Sequence, residues 1–155
     1  MIGLFFFCLI FSFSNSYLSN IEKKSRVNFF ILTILVSTFI SNTIWIIIVN
    51  LGTIGASGLV YASEGVVTGF CLINSWDIVY EIRINGVKRD LGMLAINLVI
   101  FIAIVFWMVF YTNSFLSYGR DVNVLIHGTS FIISFILAMQ WGNIKNLLPK
   151  KRDQQ

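Results

Sequence analysis

The sequence predicts an all-α fold: a polytopic transmembrane helical bundle of five spans, forming one domain over residues 1–155. Three observations predict it. The chain is 57% hydrophobic and only 12% charged, against about 25% charged in an ordinary soluble domain. Its apolar residues lie in long unbroken runs, neither alternating as in half-buried strands nor one-sided as in surface helices. Its basic residues cluster between those runs, on alternate connections. The mean hydropathy of +0.83 agrees with this reading.

The apolar runs are residues 1–18, 27–49, 55–74, 92–111 and 122–141, followed by a polar tail over 142–155. A span takes about 20 residues at a rise of about 1.5 Å each. The last four runs meet that length. The first is marginal, and it opens at Met1 with no polar flank, as a helix does when its start is missing. It lacks the basic lead of a signal peptide, and SFSNSYLSN is a poor cleavage site, so it reads as a retained span. In the second run, Ser37, Thr38, Ser41 and Asn42 read as hydrogen-bonding groups between helices. Trp45, Trp76, Trp107 and Trp141 fall mostly near span ends and read as interface anchors.

The connections set an orientation. IEKKSR (21–26) carries Lys23, Lys24 and Arg26, and WDIVYEIRINGVKRD (76–90) carries Arg83, Lys88 and Arg89. The tail carries Lys145, Lys150, Lys151 and Arg152. By contrast, NLGTI (50–54) has no charge, and TNSFLSYGRD (112–121) has Arg120 beside Asp121. Threading five spans alternately puts ten of the eleven basic residues on one side. The positive-inside rule makes that side cytoplasmic. The expectation is a multi-pass membrane protein with its C-terminus in the cytoplasm and the first residue of this chain outside.

Composition also excludes functions. The net charge of +4 is confined to connections, not spread along one face, so a nucleic-acid partner is not expected. Cys8 and Cys71 lie inside apolar runs and read as small core residues. With no CxxC and a single histidine, no metal site is expected, and no cofactor is implied.

The segment GTIGASGLVYASEG (52–65) carries the chemistry. A serine hydroxyl becomes a nucleophile when a base within hydrogen-bond reach takes its proton. Ser57 opens a helix from the outer side, where first-turn N–H groups are unpaired and suit an oxyanion. Gly55 and Gly58 allow close approach of a substrate backbone. Ser57, Tyr61 and Glu64 share one helix face at i, i+4 and i+7. On the last run His127, Ser130 and Ser134 share a face in the same way. His127 lies roughly 8 Å below the outer end of that run, a depth similar to that of Ser57.

These residues carry a resemblance. GASGLVYA (55–62) resembles the signature of the rhomboid intramembrane serine proteases, in which glycine-x-serine-glycine precedes a tyrosine four residues after the serine. HGTSFIIS (127–134) resembles that family's last catalytic helix. SNIEKKSRVNFFILTILVSTFISN (19–42) resembles its join between the second and third helices. Matched this way, the chain corresponds to helices two to six. The resemblance implies a Ser57–His127 catalytic dyad with no acidic third member. The backbone N–H of Ser57 would donate to the oxyanion, and Tyr61 would orient His127. It implies transmembrane protein substrates within a lipid bilayer, cut near their outer end at small residues. It also makes the helix over 92–111 and its outer loop a lateral gate. Two features depart from the family. Ser130 and Ser134 stand where it has glycines, and its HxxxN motif and first helix are absent from this chain. The expectation is either an upstream start or a shortened relative. Loss of one side-chain oxyanion donor costs roughly 3–4 kcal/mol of barrier.

Other readings stand beside this one. A GxSG tetrapeptide in a membrane helix also serves as a small-residue packing site, and a lone histidine as a hydrogen-bonding group. The conjunction with Tyr61, matched depth and small residues below His127 favours catalysis. Glu64, roughly 10 Å deeper than Ser57, is outside the family dyad. Its expected state is a neutral acid bonded to Asn97 or Thr68, with a proton or ion relay as the alternative. The non-enzymatic rivals are a rhomboid-like protein that binds client helices without cutting them, and a small channel or carrier subunit using Glu64 and Asn97.

Overall fold

A computed structural model describes residues 2–16, 18–49, 57–85, 91–117 and 124–143. The described residues form five helices and no strand: α1 (Ile2–Ser14), α2 (Asn20–Val49), α3 (Ser57–Asn85), α4 (Leu91–Ser117) and α5 (Val124–Met139). The chain's only proline lies in the tail, at Pro149, so no helix is broken from within. Among the described residues, two helical stretches are long and apolar enough to cross a membrane, Asn20–Ile48 and Leu91–Met108.

The boundaries depart from the apolar runs in an informative way. The first helix ends at Ser14, short of the predicted 18. The second begins at Asn20, so IEKKSR is helix and not connection. Ser19 caps it: the backbone N–H of Glu22 donates to Ser19 Oγ at 3.3 Å, and serine followed three residues later by glutamate is a capping-box spacing. The third helix runs on to Asn85, through most of the stretch read as a connection. Charge marked these residues as outside the apolar runs, but charge does not stop a helix.

Helix α3 is the axis, in contact with all four others, and α5 also packs on α2. The meeting of α3 with α5 is backbone-close. A Cβ on Gly65 would collide with the Phe131 carbonyl and Ser134 Oγ, and one on Gly69 would lie 2.6 Å from the Ala138 Cβ. Gly58 is looser, with a Cβ 3.2 Å from Thr38 Cγ2 and 3.5 Å from Ser130 Oγ. Thus the small residues at 130, 134 and 138 face a row of glycines on α3, spaced so that both helices present one face.

Below this seam lies an aromatic core. Phe11 stacks on Phe30 with centroids 4.4 Å apart and meets Phe70 edge-on at 5.3 Å. Trp141 lies 4.9 Å from Phe29 and 5.9 Å from Phe70. Trp141 is therefore a buried core residue, not an interface anchor, because the chain turns after α5 and lays its ring on α2 and α3. Cys8 is exposed while Cys71 is buried. The first helix turns Phe7, Phe11 and Ser14 inward at i, i+4 and i+7 spacing, which leaves Cys8 on its outer side.

A polar network joins the ends of α1 and α2 to α3 and α4. Arg26 Nη1 donates to Asn15 Oδ1 at 2.8 Å and to Asn74 Oδ1 at 2.5 Å. Its Nη2 pairs with Glu22 at 3.3 Å, and its guanidinium lies 5.1 Å from the Phe70 ring centre. Asn74 Nδ2 donates to Ser14 Oγ at 3.1 Å, and that hydroxyl donates to Asn97 Oδ1 at 2.5 Å. Asn15 fixes itself by donating to the Phe11 carbonyl at 2.7 Å.

Beside this core, the described residues include buried polar side chains and exposed large apolar ones. Ser37, Ser63, Asn74, Asn97, Ser130 and Ser134 are each 0% exposed. Phe39, Ile47 and Phe106 are 73%, 75% and 71% exposed.

Candidate functional site

The site is assembled by the first turns of two helices that start at the same end of the bundle. Ser57 is the first residue of α3, and His127 lies in the first turn of α5. Van der Waals contact of Gly58 with Ile126 and Ser130 brings these turns together. One turn into α3, Tyr61 lays its ring on His127, with centroids 4.2 Å apart and planes 18° from parallel. Both rings are half-buried. Ser57 precedes Tyr61 by four residues, so it stands one turn outward on the same helix face.

The structure thus brings together Gly58, Tyr61, His127 and Ser130, and seats Ser134 one turn deeper against Gly65. Ser134 Oγ donates to its own helix at the Phe131 carbonyl, 2.9 Å away. That bond ties the hydroxyl to the helix, so serine fills the role of a small residue where α3 and α5 touch. Gly55 and the side chain of Ser57 lie outside the described residues.

Beside the ring pair is a cavity of about 850 Å³, walled by α1, α3, α4 and α5. Phe6, Phe7, Ile104 and Trp107 supply apolar and aromatic walls, while Tyr61, Glu64 and His127 supply the polar ones. A second apolar groove continues along the seam between α1 and α4, from Leu9 to Phe13 and from Ala95 to Ile100.

Glu64 departs from expectation. It is 2% exposed, and its Oε1 has no hydrogen-bond partner. The two neighbours expected to bond it are engaged elsewhere. Thr68 Oγ1 donates to the backbone carbonyl of Glu64 at 2.7 Å, the usual back-bond of a helical threonine. Asn97 accepts from Ser14 and donates to the Met93 carbonyl at 2.8 Å. The carboxyl therefore belongs to the cavity that Tyr61 and His127 also line. The signal for this was its shared helix face with Tyr61, three residues before it. Trp107 and the α1 wall had no such signal, because they reach the site only through tertiary packing.

Among the described residues, no group of three or more His, Cys, Asp or Glu side chains is placed to hold a metal ion. What the arrangement offers is a serine at a helix start, a histidine held by a stacked ring, and a lined space beside them. The chain matches no family model, no curated protein and no solved structure, so its function is to be read from these residues and their geometry.

Proposed function

We propose that this chain is a multi-pass membrane serine protease of the rhomboid type, hydrolysing peptide bonds of transmembrane substrates through Ser57 and His127. The observation that carries the reading is the Tyr61–His127 stack, one turn below Ser57. A base must be held in a single orientation to take a serine proton, and a flat aromatic partner does that. Buried hydroxyls and amides beside exposed phenylalanine and isoleucine side chains support a lipid environment, as do the two long apolar stretches in α2 and α4. The cavity and groove along the α1–α4 seam support lateral access from the bilayer.

In this mechanism His127 accepts the proton of Ser57 as Oγ attacks the scissile carbonyl. The backbone N–H of Ser57, one of the first-turn groups that a helix does not itself pair, donates to the oxyanion. His127 then protonates the leaving amine, and water admitted from the outer end hydrolyses the acyl-enzyme. The shallow position of the pair allows that water in, while the helices below stay dry.

The transport reading draws less support. It calls for Glu64 and Asn97 to act together, yet Asn97 is held by Ser14 and Met93, and the Glu64 carboxyl is not bonded to it. The test is cleavage of a transmembrane substrate by full-length protein in liposomes. Wild type is expected to cut it, and Ser57→Ala and His127→Ala to lose about 10³-fold or more. Equal cleavage by either variant overturns the proposal.

A further inference from the structure

Glu64 asks for a partner that the described helices do not provide. Its carboxyl is buried, one of its oxygens accepts no hydrogen bond, and it lines the large cavity beside Tyr61. A buried acceptor left unmatched costs free energy, and one that also lines a cavity can be matched by what enters it. The rest of the cavity narrows the choice of ligand. Most of its lining is aliphatic or aromatic, and Phe6, Phe7, Tyr61 and Trp107 share that lining with the acid. A wholly apolar guest would fit the walls and leave the carboxyl unmatched. An anion would be repelled by the ionised acid and would find no cation beside it among the described lining residues. A guest with an apolar stem and a cationic head satisfies both, since aromatic faces attract cations and methylene stems suit apolar walls.

We infer that this cavity is a cation-accepting subsite, in which Glu64 receives the ammonium or guanidinium group of a lysine or arginine side chain of the substrate. Its assignment to a substrate rests on the protease reading; the cation preference itself does not. Glu64 lies seven residues beyond Ser57, roughly 10 Å along the axis. Helical side chains lean toward the N-terminus, so the carboxyl sits nearer to Ser57 than its Cα does. A long basic side chain near the cut spans that gap, whereas a short neutral one leaves the acid empty. Selectivity would then come from a partner that completes the site, and an uncharged side chain of similar length would leave the carboxyl desolvated and unpaired.

The test is binding of n-butylammonium and n-butylguanidinium to the full chain in nanodiscs, with 1-butanol as the neutral probe of equal stem length. The Ser57→Ala protein is used, so that hydrolysis plays no part in the readout. Both cations are expected to bind about tenfold or more tighter than the alcohol, as a charge-assisted hydrogen bond provides. In Glu64→Gln and Glu64→Met that preference is expected to vanish while alcohol binding stays. Equal affinity for cation and alcohol, or a preference unchanged in both variants, overturns the inference. So does loss of alcohol binding in both variants, which would assign Glu64 to holding the walls. Failure of the protease reading shows separately, as cleavage indifferent to Ser57→Ala.

Discussion

Tyr61 holds the imidazole of His127 face to face, and only another flat ring can replace it in that task. The stack itself is worth about 1 kcal/mol, but its larger effect is on geometry. A small misplacement of a base costs on the order of 10²-fold in rate. Tyr61→Leu is therefore expected to lower kcat by about 10²-fold with little change in KM. Tyr61→Phe, which keeps the ring, is expected to lose less. Cleavage kinetics of the two variants check the order, and equal losses would show that stacking is not what matters. This pair was an expectation that the resemblance of GASGLVYA and HGTSFIIS implied, helped by the matched depth of the two helix starts. The isolation of the Glu64 carboxyl was not legible in the sequence. Neither expected partner, Asn97 or Thr68, bonds it, because hydrogen bonds within their own helices and to Ser14 engage them.

Between helices, the meeting of α3 and α5 depends on the absence of side chains. Gly65→Ala places a methyl group against the Phe131 carbonyl and Ser134 Oγ. The carbonyl is backbone and cannot swing away, so the helices must separate, at a cost of about 1–3 kcal/mol. Gly92→Ala is the matched control, since nothing lies within 4 Å of its new methyl group. It is expected to be neutral or stabilising by up to about 1 kcal/mol. Unfolding in SDS titrations followed by circular dichroism distinguishes the two. The same measurement addresses the Arg26 network. Arg26→Met strands the carbonyl oxygens of Asn15 and Asn74 together with Glu22, and is expected to cost about 3 kcal/mol. This network explains why a charged stretch was misread as a connection. The spacing of Ser19 and Glu22 is itself a helix-start signal, masked by the charge run beside it. Arg26 looked like a solvated loop residue, whereas its guanidinium is buried among amides and a phenyl ring.

Across the described residues, buried hydroxyls and amides beside exposed phenylalanine and isoleucine side chains are what the membrane setting proposed above calls for. Helix association then relies on close packing and hydrogen bonds between helices, not on exclusion of water. The protein is expected to stay in the membrane fraction under alkaline carbonate. In a background with Cys8 and Cys71 changed to serine, an impermeant thiol reagent added outside is expected to label Thr53→Cys and spare Gln155→Cys. The reverse labelling would invert the orientation drawn from the basic residues. The helix count and order were legible from the apolar runs alone. The cavity was not, because its walls come from residues as distant in the chain as Phe6, Glu64, Trp107 and His127. The central claim is that Ser57 is a nucleophile activated by His127. The most direct test is a serine-directed phosphonate applied to the full-length protein in liposomes, with the adduct mapped by mass spectrometry. A single adduct on Ser57 that disappears in His127→Ala is the predicted result. An adduct on another residue, or one on Ser57 that forms equally well without His127, would contradict it.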